Sequence, residues 1–275
     1  MKLEDIRKLL AGNQELSAEQ NMALNNCILF FRTGSQLYGT HTPESDDDYT
    51  GVFIPDPEYV FGKKYAPGKG TRLEQVEFNT NPSDSGKRNS KEDTDCMMFT
   101  LDKWTSMCID NNPNRLELFF APENCRLFLR NAGEKLLANY KLFLSLNTYG
   151  SFRGYSHEQM RRLKLKSGNN NGRKDLIEKY GYDTKMASHN IRLYLECIQI
   201  LKQGKIDFPL KENQYLLDIK QGRVSFEDFL KRSEALEAMC DMVYASSTLP
   251  AEPDVESVSK LQESLLLDFW NLKKM

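Results

Sequence analysis

Apolar residues recur at helical spacing near the start of the chain. Ile6, Leu9 and Leu10 share a face, and Ser17 ahead of Ala18-Glu19-Gln20 offers an N-cap, so residues 1–26 read as helical. The pattern then changes. The run 27–31 is short and wholly apolar, which suits a buried strand, and Gly34-Ser35 ends it. A short turn or helix covers 36–41. Residues 48–54 alternate well enough for a second strand, which Pro55 and Pro57 stop. Residues 63–94 differ in texture. KKYAPGKGTR and NPSDSGKRNSKED are rich in Gly, Ser, Asn and Lys around one strand at 73–78, so a hairpin or insertion is expected. Residues 95–99 read as a further strand. Thr100 then caps a helix that runs to about Asp110, with Leu101, Trp104, Met107 and Cys108 on one face. The stretch NNPNRLELFFAP turns at Asn112-Pro113 and starts a short apolar helix. From about 125 onward the pattern is helical, with segments at 125–145, 152–166, 183–203, 212–220, 225–244 and 254–273. GNNNG, at 168–172, is a loop.

These elements predict an α+β protein. A small mixed β-sheet domain over 1–122 is followed by a helical domain over 123–275 that closes a cleft. With 275 residues, 40% hydrophobic and 28% charged, the chain is long enough to bury a core. The net charge of −2 gives no whole-molecule pull toward nucleic acid, so an RNA site would need a local basic patch. No apolar run is long enough to span a bilayer, and the start MKLEDIRKLL is no secretory signal. Six cysteines stand at 27, 96, 108, 125, 197 and 240 with no Cys-x-x-Cys pair, which reads as reduced thiols in a cytoplasmic protein. The three histidines, 41, 157 and 189, lie far apart, so any metal would be a hard one on oxygen ligands.

The chemistry concentrates in RTGSQLYGTHTPESDDDYTGVFIP. Like charges repel, and Asp46, Asp47 and Asp48 stand together at the mouth of a strand. A metal ion would supply the missing positive charge. On a strand, residues i and i+2 face the same way, about 6.5–7 Å apart. Asp46 and Asp48 fit that spacing, with Asp47 turned away. Two such side chains can converge on a pair of divalent ions about 3.5–4 Å apart. Asp95, opening the next clear strand, is the choice for a third carboxylate. Asp93, of the same parity, is the alternative. Gly34 lets backbone approach a ligand, and the Ser35 hydroxyl with nearby N–H groups can hold a phosphate. An isolated Asp-x-Asp or Gly-Ser is usually a solvated turn. The informative feature is the order: apolar strand, Gly-Ser, eleven residues from Ser35 to Asp46, Asp-x-Asp, apolar strand, and a later Asp.

That order resembles the nucleotidyltransferase domain of the DNA polymerase beta superfamily. The longer strings GSQLYGTHTPESDDDYTGVFI, DCMMFTLDKW, NNPNRLELFFAP, GYSHEQMRRL and DTKMASHNIRLYLE are closer still to its RNA-repair-pathway (RlaP-like) branch, over about residues 27–210. The resemblance implies a nucleotidyltransferase that binds a nucleoside triphosphate, ATP included, through Gly34 and Ser35. It also implies two Mg²⁺ ions, with Mn²⁺ as a substitute, on Asp46, Asp48 and Asp95, which serve as the catalytic residues. The implied acceptor is an RNA 3′ end, such as a tRNA. Alternative acceptors are a protein hydroxyl or an aminoglycoside-type small molecule. A nucleotide- or RNA-binding module without turnover is the non-enzyme alternative.

Two further features stay open. At about 100° per residue, Lys185, His189, Arg192, Glu196 and Gln199 form one narrow polar stripe on an otherwise apolar helix. It can be a solvated stripe with an Arg192–Glu196 pair, or a wall on which Lys185, His189 and Arg192 bind the triphosphate, as the resemblance implies. Basic clusters stand at Lys63, Lys64, Lys69 and Arg72, backed by Lys87, Arg88 and Lys91, and at Arg161, Arg162, Lys164, Lys166, Arg173 and Lys174. Tyr65, Tyr155 and Tyr180 are near enough in sequence to stack on bases. Either cluster is also what a solvated charged face looks like.

Overall fold

The computed structural model describes the chain except residues 13, 44, 65–71, 80–93, 166–170 and 273–275, and describes 171–173 by backbone alone. In chain order the elements begin with α1 (Leu3–Ala11), α2 (Ala18–Asn25), β1 (Cys27–Arg32), α3 (Ser35–Tyr38) and β2 (Asp47–Phe53). Next come α4 (Pro57–Val60), β3 (Gln75–Asn79), β4 (Thr94–Thr100), α5 (Leu101–Ile109) and α6 (Pro113–Leu116), the last running into a 3₁₀ turn at Glu117–Phe120. Then follow β5 (Arg126–Leu129), α7 (Asn131–Ala138), α8 (Asn147–Lys164), α9 (Asn171–Tyr180), α10 (Thr184–Gln203), α11 (Asn213–Lys220), α12 (Phe226–Ser246) and α13 (Val255–Phe269). The fold is α+β, with a small mixed sheet. Among the described residues no helix is long and apolar enough to cross a membrane.

The chain packs into two compact units. One holds Met1–Cys108, Ala121–Leu142 and Asp254–Met275; the other holds Ile109–Phe120 and Phe143–Pro253. The segments therefore alternate along the chain.

The first unit is built on a five-stranded sheet in the order β3-β4-β2-β1-β5. β2 and β4 pair in parallel, and every other pair is antiparallel. β1 is an interior strand, between β2 and β5, and buried on both sides, so it reads as one unbroken hydrophobic run. Side chains alternate between the two faces of a sheet. Phe30, Tyr49, Phe53, Phe78, Cys96 and Met98 pack on one face with Ile6 and Leu10 of α1 and Met22 and Ala23 of α2. α1 and α2 are separate helices: Gly12, at φ 52°, ends the first, and a Ser17–Gln20 capping box starts the second. α7 packs against β1, with Gly133 at the contact. A Cβ there would run into the Ile28 carbonyl oxygen and the Leu29 side chain, so only glycine permits this approach. Thr100 Oγ1 accepts from Lys103 N at 3.2 Å, the cap expected for α5.

Two expectations fail here. Residues 125–145 are not one helix. Arg126–Leu129 is the edge strand β5, paired with β1, and α7 starts only at Asn131. A four-residue run such as RLFL is too short for its periodicity to separate strand from helix. The loop expected through Gly172 is helical backbone from Asn171, in a helix that periodicity did not mark. Residues 168–170 of that loop lie outside the described residues.

In the second unit α10 is the central helix, packed by α8, α11 and α12. Asp183 caps it, its carboxylate accepting from Met186 N at 2.9 Å, and Gly204, at φ 67°, ends it. Two buried asparagines here are paired. Asn190 donates to Ser156 O at 3.0 Å and accepts from Ser233 Oγ at 2.7 Å. Asn111 donates to Phe143 O at 3.1 Å and accepts from Thr148 Oγ1 at 2.7 Å. The largest buried charge group is Arg192, 4% exposed, between Glu117 at 2% and Glu196 at 0%. The Arg192–Glu196 pair is thus a core interaction, so the solvated-stripe reading fails at these two positions.

Burial pushes the Glu196 carboxyl up to about 8; Arg192 pulls the other way and Glu117 adds to the rise. The group therefore binds its proton more tightly folded than unfolded, where the ordinary value is 4.5. The folded state gains from that proton in full below the unfolded value. The gain is lost as pH rises toward 8, by about 1.4 kcal/mol per pH unit within the window. Thermal unfolding followed between pH 5.5 and 8 should show a falling melting temperature, and Glu196→Gln should flatten the slope. An equal slope in both proteins would mean that Glu196 is not the titrating group.

Candidate active site

The backbone explains why Gly34 and Ser35 sit where they do. Beyond β1 the ladder continues for one more bond, from Thr33 N to Asp48 O at 2.8 Å. The chain then turns at Gly34, at φ 62°, a conformation that L side chains rarely adopt. α3 begins at once and ends at Gly39, at φ 71°. A Cβ on Gly34 would overlap Asp48 Oδ2, so the glycine lies directly against that carboxylate. Ser35 Oγ is buried and has no hydrogen-bond partner among the described residues. A buried hydroxyl is costly to leave unpaired.

The aspartates sort by strand parity. Asp48 of β2 is the register partner of Asp95 of β4. In a parallel pair, register partners point to the same face. That face is opposite the one carrying Tyr49, Cys96 and Met98, which packs on α1 and α2. Asp46 precedes β2 by one residue and has the parity of Asp48. Asp47 faces the other way, where Arg32 Nε lies 3.7 Å from its Oδ1 and the Arg32 guanidinium lies 5.9 Å from the Tyr49 ring. The middle carboxylate of the triplet thus has its own cation, and the outer two share a parity.

The structure therefore sets Asp48 and Asp95 side by side on adjacent strands, with the Gly34 turn against Asp48. It does not close Asp46, Asp48 and Asp95 into a ligand cage: no group of three or more His, Cys, Asp or Glu side chains among the described residues is arranged to hold a metal. The donors available, carboxylate oxygens beside an unpaired hydroxyl, are nonetheless the hard set that suits Mg²⁺ or Mn²⁺. Asp93 lies outside the described residues.

On α10, Lys185 is exposed, His189 is half-buried and Arg192 is buried. Arg192 Nη1 donates to Glu117 and, at 2.9 Å, to Glu196; Nη2 donates to His189 Nε2 at 2.8 Å and approaches Asn114 Oδ1 at 3.3 Å. From the sequence, Glu196 falls on the stripe, and Asn112, Arg115 and Glu117 read either as a capped turn or as residues that approach the site, but nothing links Glu117 or Asn114 to Arg192. They stand 75 and 78 residues from Arg192, and no local periodicity links them.

The basic clusters are partly offset. Arg161 and Arg162 both bind Glu158, at 2.8 and 2.7 Å, and hold its carboxyl down at about 2. Lys64 pairs with Glu58 and lies 4.6 Å from the Tyr59 ring. Lys63, Arg72, Lys164 and Lys174 are exposed. Tyr155 OH accepts from Asn112 Nδ2 at 2.8 Å, and Tyr180 lies under Lys179 at 5.0 Å. Tyr65, Lys69, Lys87, Arg88, Lys91 and Lys166 lie outside the described residues, as does the side chain of Arg173.

Comparison with known proteins adds three findings. A 38.9 kDa uncharacterized protein of Enterobacteria phage T4, from the nrdC-mobD intergenic region, is 21% identical, over 86% of this chain and 93% of its own. A crystal structure of a nucleotidyltransferase-like protein from Exiguobacterium sibiricum covers 98% of this chain and 89% of its own, at 10% identity and a TM-score of 0.32. The model of the RNA repair pathway DNA polymerase beta family matches residues 10–262. With so much of its length matched, the chain belongs to the RNA repair pathway DNA polymerase beta family.

Proposed function

We propose that this protein is a metal-dependent nucleotidyltransferase that moves a nucleoside monophosphate from a nucleoside triphosphate to the 3′ hydroxyl of an RNA, with tRNA the first acceptor to try. The family supports the reaction type, and its name supports an RNA acceptor. The observation that carries the reading is the strand-end arrangement: Asp48 beside Asp95, Gly34 against Asp48, and a buried Ser35 hydroxyl with no partner among the described residues.

Asp46, Asp48 and Asp95 would hold two divalent ions. When bound, such ions offset charge on the phosphates and lower the pKa of the attacking hydroxyl. Ser35 Oγ donates to a phosphate oxygen, and Gly34 lets the triphosphate approach the backbone. Asp95, the exposed member of the three, accepts the proton of the acceptor hydroxyl. The new bond joins that oxygen to the α-phosphorus, the α–β bridge breaks, and pyrophosphate leaves.

The decisive assay incubates the protein with each of the four labelled triphosphates, Mg²⁺ and total tRNA, followed by a denaturing gel. Label on RNA is expected with wild type, and Asp46→Asn and Asp48→Asn should each lose about 100-fold or more while melting normally. Label on a protein band or a small molecule would move the acceptor. Label nowhere would leave a binding module. Full activity in either folded variant would sink the metal assignment.

Ser35→Ala separates binding from folding. Removing an unpaired buried hydroxyl should leave stability unchanged or raise it by up to about 1 kcal/mol, while triphosphate affinity falls about tenfold. Gly34→Ala should lower both activity and melting temperature, since its Cβ meets Asp48 and its φ is strained. Calorimetric titration and thermal melts on the two variants check both statements; a Ser35→Ala protein that binds as wild type removes the phosphate role.

A further inference from the structure

Phe61 is the most exposed large apolar side chain among the described residues, at 74%. A single exposed apolar residue is ordinary on a protein surface. Phe61 is not single. Its ring meets that of Trp270 edge-on, with centroids 5.5 Å apart and planes at 65°. Both rings are held in place. The backbone of Phe61 closes α4, its N–H donating to Pro57 O at 2.8 Å. Trp270 is half-buried, and its indole Nε1 donates to Pro55 O at 3.2 Å, which ties the indole to the chain just beyond β2. A half-buried tryptophan thus supports a phenylalanine ring that stays in water.

The charge beside this pair is positive. The carboxylates next to the two rings in sequence each have a donor: Asp56 accepts from Asn26 Nδ2 at 2.8 Å, Glu58 pairs with Lys64, and Asp268 pairs with Lys135 at 2.8 Å. Lys63 and Arg72 are exposed. From Phe61 to Arg72, and again from Trp270 to Met275, the sequence holds lysine and arginine but no carboxylate. An exposed aromatic face among cations suits an unpaired nucleobase, whose ring stacks while the cations meet its phosphates. A duplex offers no free base face to such a ring. The pair also stands apart from the carboxylates. Asp48 opens β2 and Phe53 ends it, about 16 Å further along the strand, and Pro55 lies beyond that end.

We infer that Phe61, supported by Trp270 and followed in the chain by Lys63, is a stacking platform for single-stranded RNA: one unpaired base lies on the exposed ring, and the lysine meets the backbone. That this RNA is the acceptor of a transferred nucleotide rests on the proposed function. The stacking contact does not, since it needs neither a triphosphate nor a metal.

Trp270 is its own reporter, because the other tryptophan, Trp104, is fully buried. The full-length protein is titrated with a short oligoadenylate, without Mg²⁺ or triphosphate, while tryptophan emission is followed. The single strand should quench the emission, and the same oligoadenylate paired with oligouridylate should not. Emission unchanged by the single strand, or quenched equally by the duplex, overturns the inference. Affinity is then read from the anisotropy of labelled oligoadenylate. Phe61→Ala should weaken binding about tenfold, the factor expected for one lost stacked base. Phe61→Trp should stay within about threefold of wild type. Phe61→Leu keeps apolar bulk without a ring, so it should bind as poorly as Phe61→Ala. The ring is mostly in water, so all three variants should melt as wild type does. A Phe61→Ala or Phe61→Leu protein that binds as wild type also overturns the inference. So does a dimer, seen by sedimentation, that Phe61→Ala dissolves, since the surface would then belong to a second copy of this chain. A protein that is quenched as expected but labels no RNA in the transfer assay loses the proposed function and keeps the platform. One that transfers nucleotide without quenching loses the platform alone.

Discussion

The parallel pairing of β2 with β4 is the constraint on which the candidate site depends. It sets Asp48 beside Asp95, and alternation then places both on the face turned away from the α1 and α2 core. A slip of β2 by one residue would set Asp47 or Tyr49 opposite Asp95 and turn Asp48 toward the face of Tyr49, Cys96 and Met98, burying charge there. Such a slip would cost far more than it could recover, so the apolar packing of one face enforces the position of the carboxylates on the other. Gly34 depends on the same pairing, because the ladder bond from Thr33 to Asp48 brings the turn up against the Asp48 carboxylate. Geometry at this strand end is thus maintained by packing on the opposite face of the sheet.

The second unit uses charge differently. Glu117, Arg192 and Glu196 are as buried as the leucines around them, and removing one partner of such a group is costly because it leaves the others buried without it. A guanidinium with donors on several sides can meet carboxylates and an imidazole at once, which a point charge cannot. The core of this unit therefore holds a defined polar centre, and Glu196 links its stability to pH.

Much of this was legible along the chain, and the failures have physical causes. β1 was readable because an interior strand buried on both sides is one apolar run, and α10 because its twenty residues repeat their pattern over several turns. Two-residue periodicity alone puts Asp46 and Asp48 on one side, and the strand start at 94 makes Asp95 accessible to the same logic. β5 was not readable, since RLFL carries too few residues to reveal a period. α9 was missed because its sequence, NGRKDLIEKY, has only a thin apolar face and opens on residues that favour turns. The environment of Arg192 was beyond reach for another reason. A helical wheel shows which residues share a stripe, but whether that stripe meets water or a carboxylate 75 residues away is decided by tertiary packing.

Parallel neighbours have one more effect, on what holds the site together. β2 and β4 are joined through residues 54–93, with β3 lying outside β4 at the sheet edge. The distance the chain travels between them has no bearing on their register. What keeps the two carboxylates side by side is thus the pairing itself, and not the route the chain takes from one strand to the other.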